Sequence, residues 1–289
     1  MGTRTRIELG RCEDLGADCA NCFGLCCVAL AFAVSADFPL DKPAGEPCRN
    51  LDDHDACRIH TQLRPSGFKG CTVFDCFGAG QKTSRHTFAG RSWRDDEQTR
   101  TAMFAAFPII RRLHELLWYL DQAISLVEAD RDATPWLRRF DRVRDLSNLP
   151  AERVLDLDID AEYDRARPLL VEASEIARAQ VASDRGRRRA RSLGARSLGP
   201  QANLMGARLA RADLRGVCLR GSTLIAADLT GARLSRCDLL GVDLRDADLS
   251  GADLVDAIYL TQMQVNSARG DAATRLPAGF QRPSHWVNR

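Results

Sequence analysis

From Ala202 to Leu254 the apolar positions recur every five residues. Leucine stands at 204, 209, 214, 219, 224, 229, 234, 239, 244, 249 and 254, and a small residue (Ala202, Ala207, Ala212, Val217, Ser222 and so on) stands two places before each. On an α-helix a step of five advances about 140° past a full turn, which scatters the leucines around the circumference. On a flat strand an odd step puts successive leucines on opposite faces. A chain that turns a corner every five residues returns each leucine to the inside, so the pattern predicts a solenoid. The register fails after Ala257, where Tyr259 replaces leucine. Leu260–Arg269 is helix-compatible and is stopped by Gly270, which predicts a terminal helix closing the last coil's open end.

The middle of the chain has a different period. Phe107, Ile110, Leu113, Leu117, Leu120, Ile124 and Val127 follow steps of three and four, one face of a helix within 99–129. Pro108 starts or kinks that helix. Further helices are expected over 135–146 and 161–183, with Pro168 bending or interrupting the second. His114-Glu115 suggests a zinc-protease motif, but Trp118 occupies the position of the required second histidine. The alternating acids Asp156, Asp158, Asp160 and Glu162 read as a solvated loop.

Composition narrows the picture. The chain has 289 residues, 45% hydrophobic and 28% charged, enough to bury a core and too apolar for wholesale disorder. No apolar run is long enough for a transmembrane helix. Met1–Gly10 lacks the apolar centre of a secretory signal, so a cytoplasmic location is expected. The net charge of +2 creates no global field for nucleic acid. Lysine occurs only at 42, 69 and 82, a bias that fits a bacterial, GC-rich genome. The Arg-, Gly- and Ser-rich stretch 184–200 reads as a basic linker, a solvated hinge rather than a phosphate-binding arm.

Cysteine is the most unevenly placed residue: nine of eleven lie within the first 76 positions. In a reducing compartment that density reads as metal ligation rather than a disulfide framework. Cys19, Cys22 and one of Cys26 and Cys27 can form a chelating knuckle. Adjacent cysteines point apart in extended backbone, so the other of the pair is assigned to a second ion or a cluster edge. Cys48, Cys57, Cys71 and Cys76 complete the expected ligands, and His60, three residues after Cys57, has usable spacing. Cys12 lies outside this block, and His54, among Asp52, Asp53 and Asp55, reads as part of a solvated turn. Cys218 and Cys237 fall inside the repeat and read as structural. Phe77-Gly-Ala-Gly-Gln81 lacks a phosphate-loop pattern and reads as a turn.

Two stretches resemble known families. Ala212-Asp213-Leu214, Ala227-Asp228-Leu229, Ala247-Asp248-Leu249 and Ala252-Asp253-Leu254 resemble the pentapeptide-repeat family over about 202–258. That resemblance implies a right-handed quadrilateral β-helix, four pentapeptides per coil, between two and three coils long. Cys19-Ala-Asn-Cys22, Cys26-Cys27, Pro47-Cys48, Cys57-Arg-Ile-His60, Arg64-Pro65 and Gly70-Cys71 resemble the family named for its CxxCxxCC core, with one extra residue between Cys22 and Cys26. That resemblance implies zinc or iron chelation without a defined reaction. Two zinc ions, a four-iron iron–sulfur cluster with spare cysteines, or a mixed site all remain open.

The expected fold is therefore multidomain. It comprises a Cys-rich metal-binding domain (1–90), a helical segment packed on it (91–183), the basic linker (184–200), the β-helix (201–259) and a C-terminal cap and tail (260–289). The expected function is a metal-binding scaffold that presents a short solenoid to a protein partner and responds to metal or redox state. The alternative is an iron-dependent redox protein or metalloenzyme using the Cys-rich domain. No catalytic constellation appears outside the cysteines, so a non-enzymatic role is favoured. Some pentapeptide-repeat proteins mimic DNA and protect gyrase. Here the repeat is short and carries seven arginines against eight aspartates, so this reading ranks last. Neither nucleic acid nor membrane is expected as a partner, and the oligomeric state is open.

Overall fold

The computed structural model describes residues 15–127, 131–179, 181 and 198–286. Cys12, the first ten residues and most of the 184–200 linker lie outside the described residues. The chain divides into two compact units, one of Met1–Asp121 with Ala133–Leu169, the other of Gln122–Asp132 with Leu170–Arg289. No described helix is long and apolar enough to cross a membrane.

In the first unit short turns carry the cysteines and long helices supply the core. The helices are α1 (Leu25–Val28), α2 (Lys69–Val73), α3 (Ala79–Gln81), α4 (Glu97–Val127), α5 (Thr134–Ser147), α6 (Ala151–Leu155) and α7 (Ile159–Ala179), of which α4 and α7 extend beyond this unit. α3 runs directly into a π-helical turn, Lys82–Thr87. α4 begins where the Asp96 carboxylate accepts the Thr99 amide at 2.7 Å, a satisfied N-terminal donor. Its period-3.6 face is fully buried at Met103, Phe107, Ile110, Leu113 and Leu120. Pro108 lies inside α4 rather than at its start, and Pro168 lies inside α7 without ending it. Leu25, Val28, Leu51, Ala79 and Trp93, all beside cysteines or on the turns that follow them, pack with Met103, Ala106, Phe107 and Ile110 in one cluster. Each such large side chain contributes about 1.5–3 kcal/mol on burial.

The acidic run is an exposed loop only at Asp156 and Asp158; Asp160, also exposed, and Glu162 lie in the first turn of α7. The Asp158 carboxylate accepts the Ala161 amide at 3.0 Å and caps α7. Glu162 is buried in its first turn, bound by Arg139 at 3.1 Å and Arg165 at 2.7 Å. Carboxylates collect here because a helix N-terminus presents free amides and positive potential.

The second unit corrects the expected fold class. A right-handed quadrilateral β-helix is not formed, because among the described residues there is no strand and no sheet. Pairing in the repeat is confined to isolated parallel bridges twenty residues apart, such as Asn203↔Thr223, Asp213↔Arg233 and Asp228↔Asp248. The reason lies in the backbone. One residue in each five (Gln201, Gly206, Arg211, Gly216, Gly221, Ala226 and onward to Gly251) has positive φ. A strand needs several consecutive extended residues, and a left-handed residue at every corner prevents this. The repeat is a stack of turns stitched by single bridges, and helices are the continuous elements of the fold.

Burial still follows the five-residue interval. All eleven leucines are buried, with Ala212, Ala227, Ala232, Cys237, Ala247 and Ala252 between them. Beyond the repeat the helix is α8, Gln262–Ser267, shorter than expected. Thr261 and Gln264 form a capping box at its start. Gln264 Nε2 also donates to the carbonyls of Leu239 (2.8 Å) and Val242 (2.9 Å). After Ser267 the backbone returns to bridging, Asp248↔Arg269 and Asp253↔Arg275, which is why the helix stops early.

Candidate functional site

The eight cysteines between 19 and 76 sit on turns that are tied down one by one. Cys19 opens a single 3₁₀ turn, Cys19–Asn21. Just before it, the Asp18 amide donates to Gln81 Oε1 (3.2 Å) while Gln81 Nε2 donates to the Gly16 carbonyl (2.7 Å). After Cys22, Phe23 is held on both sides: its amide donates to Ser84 Oγ (3.1 Å) and its carbonyl accepts from Trp93 Nε1 (2.9 Å). Gly24 then reverses the chain at φ +64°, and a Cβ there would lie 2.7 Å from the Leu51 side chain, so glycine is required on both counts. The reversal launches α1, which carries Cys26 and Cys27. The Cys48 amide donates to the Cys27 carbonyl at 2.9 Å, and Cys57 bridges back to Leu51. Cys71 lies in α2, and the carbonyl of Cys76 accepts the Ala79 amide that begins α3.

These turns bring the thiols together. The sulfurs of Cys26 and Cys27 are 3.8 Å apart. The expectation that the pair diverges assumed extended backbone; α1 is a helical turn, and the two sulfurs lie on one side of it. Cys22 and Cys76 both border Gly80, their sulfurs 2.7 and 3.9 Å from the position a Cβ there would take. Cys26 is an electrostatic neighbour of Cys19, Cys22, Cys57, Cys71 and Cys76, and Cys48 of Cys57 and Cys71. Cys19 is exposed and Cys48 is buried. His60 is exposed on a 3₁₀ turn, His60–Gln62. His54 is also exposed, its amide and that of Ala56 donating to Asp52 Oδ1. All ten described cysteines are free thiols. Among the described residues no three His, Cys, Asp or Glu side chains stand in a ready-made ligand arrangement.

Cys19, Cys22, Cys26, Cys57, Cys71 and Cys76 are all shifted in the same direction. Burial, reinforced by the Cys26 sulfur, pushes Cys19 up to about 11 and Cys22 and Cys71 up to about 12. Cys57 is raised by burial, and Cys76 by burial with Asp75 beside it. Cys26 is raised by its hydrogen bond with Cys27 and then by burial. Without a cation these six thiols therefore hold their protons. Opposing this, backbone amides point at the sulfurs: Leu25 and Gly24 at Cys22, Ile59 at Cys57, Gly80 at Cys76. Amide donors favour the thiolate over the thiol, and a bound soft cation would reverse the balance outright. The donor chemistry therefore fits zinc or iron.

Comparison with known proteins adds two findings. Residues 200–224 and 224–258 match the pentapeptide repeats family, in eight copies. Over 273 residues the chain is 47% identical to the uncharacterized protein YybG of Bacillus subtilis strain 168, covering 94% of this chain and 95% of that one. The chain belongs to the YybG family. The likeness to YybG spans the cysteine-bearing region and the repeat together.

Several residues in this member of the YybG family position the thiols although no sequence motif marks them. Gly80 and Gln81 lie in the stretch that read only as a turn, and Ser84 lies three residues beyond it. Asp75 is half-buried, its carboxyl raised by desolvation while Oδ1 accepts the Phe77 amide at 2.8 Å. His114, from the failed protease motif, is buried with Nδ1 2.7 Å from the Phe77 carbonyl. Lys42 is buried beside Cys26, Cys27 and Cys48. The rarity of lysine read only as a genome bias, and no sequence signal singled out that position.

Proposed function

We propose that the chain is a metal-binding scaffold or interaction protein, with zinc or iron held by Cys19, Cys22, Cys26, Cys27, Cys48, Cys57, Cys71 and Cys76. His60 is a ninth candidate, although its exposure gives it no support. The observation that carries this reading is the grouping of Cys19, Cys22, Cys57, Cys71 and Cys76 around Cys26, whose sulfur is 3.8 Å from that of Cys27, with backbone amides aimed at Cys22, Cys57 and Cys76. Buried thiols that repel one another's ionisation gain most from a shared cation. A bound ion would neutralise the thiolates and tie the turns together. The repeat unit is the surface offered to a protein partner. Its aspartates pair internally, Asp213 with Arg215 (2.7 Å), Asp243 with Arg245 (2.6 Å) and Asp253 with Arg275 (2.7 Å), which argues against an acidic DNA-like stripe.

A second reading, an iron-dependent redox protein, is favoured by one feature: Cys19 is exposed at the rim of the group, with Asp75 near it. Elemental analysis with an absorption spectrum on anaerobically purified full-length chain separates the two. Zinc without visible colour supports the scaffold, and iron with a broad band near roughly 400 nm supports the redox protein. Protein that carries no metal, and takes up neither zinc nor ferrous iron when reduced, overturns both.

A further inference from the structure

Lys42 is 5% exposed in the first unit. Its ammonium donates to the Val28 carbonyl at the end of α1 (3.2 Å), to its neighbour's carbonyl at Pro43 (3.0 Å) and to that of Glu46 (2.8 Å). A neutral amine has two protons to donate and an ammonium three, so three carbonyl acceptors select the charged form. None of the three protons goes to a carboxylate. A buried charge is costly unless an opposite charge lies near it. Burial lowers the pKa of the ammonium, opposed in order by Cys48, Cys27, the Glu46 carboxylate and Cys26. Phe32 covers it from another side, its ring centroid 5.5 Å from Nζ. The same three bonds join the backbone after Cys26 and Cys27 to the loop that leads into Cys48.

We infer that Lys42 is a positioning residue for the thiol centre, which holds the Cys26–Cys27 turn against the Cys48 loop and supplies the buried positive charge that a thiolate-rich metal site requires. The inference rests on the reading that the cysteines bind metal. A site of several thiolates on divalent ions carries net negative charge, and Lys42 is placed to offset it inside the protein. As the protons leave the thiols on loading, the attraction to the fixed ammonium grows. Lys42 thus acts more strongly in the loaded state than in the empty one.

The test uses the reduced full-length chain and zinc(II) as probe, with affinity measured by competition against a chromophoric chelator. Lys42→Gln removes the charge but keeps two N–H donors; Lys42→Arg keeps the charge. Loss of an outer partner of a metal site typically lowers affinity about 10- to 100-fold. Lys42→Gln is expected to weaken zinc binding at least about tenfold, and Lys42→Arg to stay within about threefold of the native chain. Far-ultraviolet circular dichroism of the empty proteins should be unchanged. Equal affinity in Lys42→Gln and the native chain, or equal losses in both variants, overturns the inference while leaving metal binding intact. If Lys42→Gln does not fold, the Lys42→Arg chain decides: binding close to native supports the role of the charge, and a loss beyond about tenfold overturns it. A native chain that binds no zinc and no iron overturns the metal reading itself, and this inference with it.

Discussion

The sulfur of Cys22 lies 2.7 Å from the point where a Cβ on Gly80 would stand. Gly80 does not need glycine for its backbone angles, since its φ is ordinary. It needs glycine because a thiol is packed against its Cα, with the Cys76 sulfur on the same side. Gly80→Ala must therefore push Cys22 or shift α3. Overpacking of this kind costs about 1–3 kcal/mol, read as a lower urea midpoint at unchanged slope. Metal uptake should fall in the same variant, because the displaced sulfur is a proposed ligand. A stability equal to native would mean that the Cys22 turn moves freely, and the tied-down picture of that turn would be wrong.

The cysteines of the two units are expected to differ in kind. Cys26→Ser removes the thiol that neighbours Cys19, Cys22, Cys57, Cys71 and Cys76, and should abolish most zinc or iron uptake. Cys237→Ser places a hydroxyl at a fully buried position among the repeat's leucines. It should leave metal content unchanged and cost about 1–3 kcal/mol, the cost of burying a hydroxyl without a partner. Elemental analysis and urea unfolding on both variants check the pair. Metal retained in Cys26→Ser would remove that residue from the centre of the site.

Which residues are inside was largely legible in the sequence, and what backbone carries them was less so. The leucine interval picked out the buried positions from Leu204 to Leu254, because burial follows periodicity directly. It did not reveal that a positive-φ residue at each corner, such as Arg211 or Ala226, leaves only single-residue bridges. Side chains at those corners carry no mark of their backbone angle. The cysteines were visible as a set, whereas their mutual placement was not. Whether Cys26 and Cys27 diverge depends on Gly24 launching a helical turn, a conformational event that spacing alone does not encode. Glu162 shows the same limit, since a buried carboxylate and a solvated one are spelled alike until Arg139 and Arg165 are placed beside it.

Acid should weaken the start of α4 in a defined way. The amide of Thr99, then its hydroxyl and Arg91, hold the Asp96 carboxyl below its ordinary range. A carboxyl whose folded pKa is depressed adds stability above its unfolded value, about 3.9, and that contribution disappears as pH falls through the folded value. Asparagine keeps the capping geometry without the charge. The melting-temperature gap between native chain and Asp96→Asn should therefore be steady from about pH 7 to 5 and close below about pH 4. Loss of metal in acid affects both proteins alike and cancels in the gap. A gap that persists unchanged to about pH 2 would show that geometry, not charge, is what Asp96 supplies.

In the second unit Asp238 is fully buried, and Arg220 reaches it at 2.5 Å. Ser174 Oγ donates to the same carboxylate at 2.6 Å, and the Leu240 amide to its other oxygen at 3.0 Å. Arg178 Nε in turn donates to Ser174 Oγ at 3.0 Å, so the carboxylate anchors α7 residues to the repeat within this unit. Asp213, Asp243 and Asp253 pair with arginines nearer the surface, whereas the charge of Asp238 is fully buried with its partner. Removing one member of such a pair leaves the other charge stranded, which costs about 3–5 kcal/mol. Asp238→Ala should reach that range, and Ser174→Ala about 1.5–3 kcal/mol for a hydrogen bond to a charged group. The double variant Asp238→Ala with Arg220→Ala should be less destabilised than the sum of the single changes, because the stranded guanidinium is gone. Urea unfolding of the four proteins gives the coupling directly. Strict additivity would mean that Arg220 keeps its charge solvated when Asp238 is absent, and that the network is held by Ser174 and the backbone rather than by the ion pair.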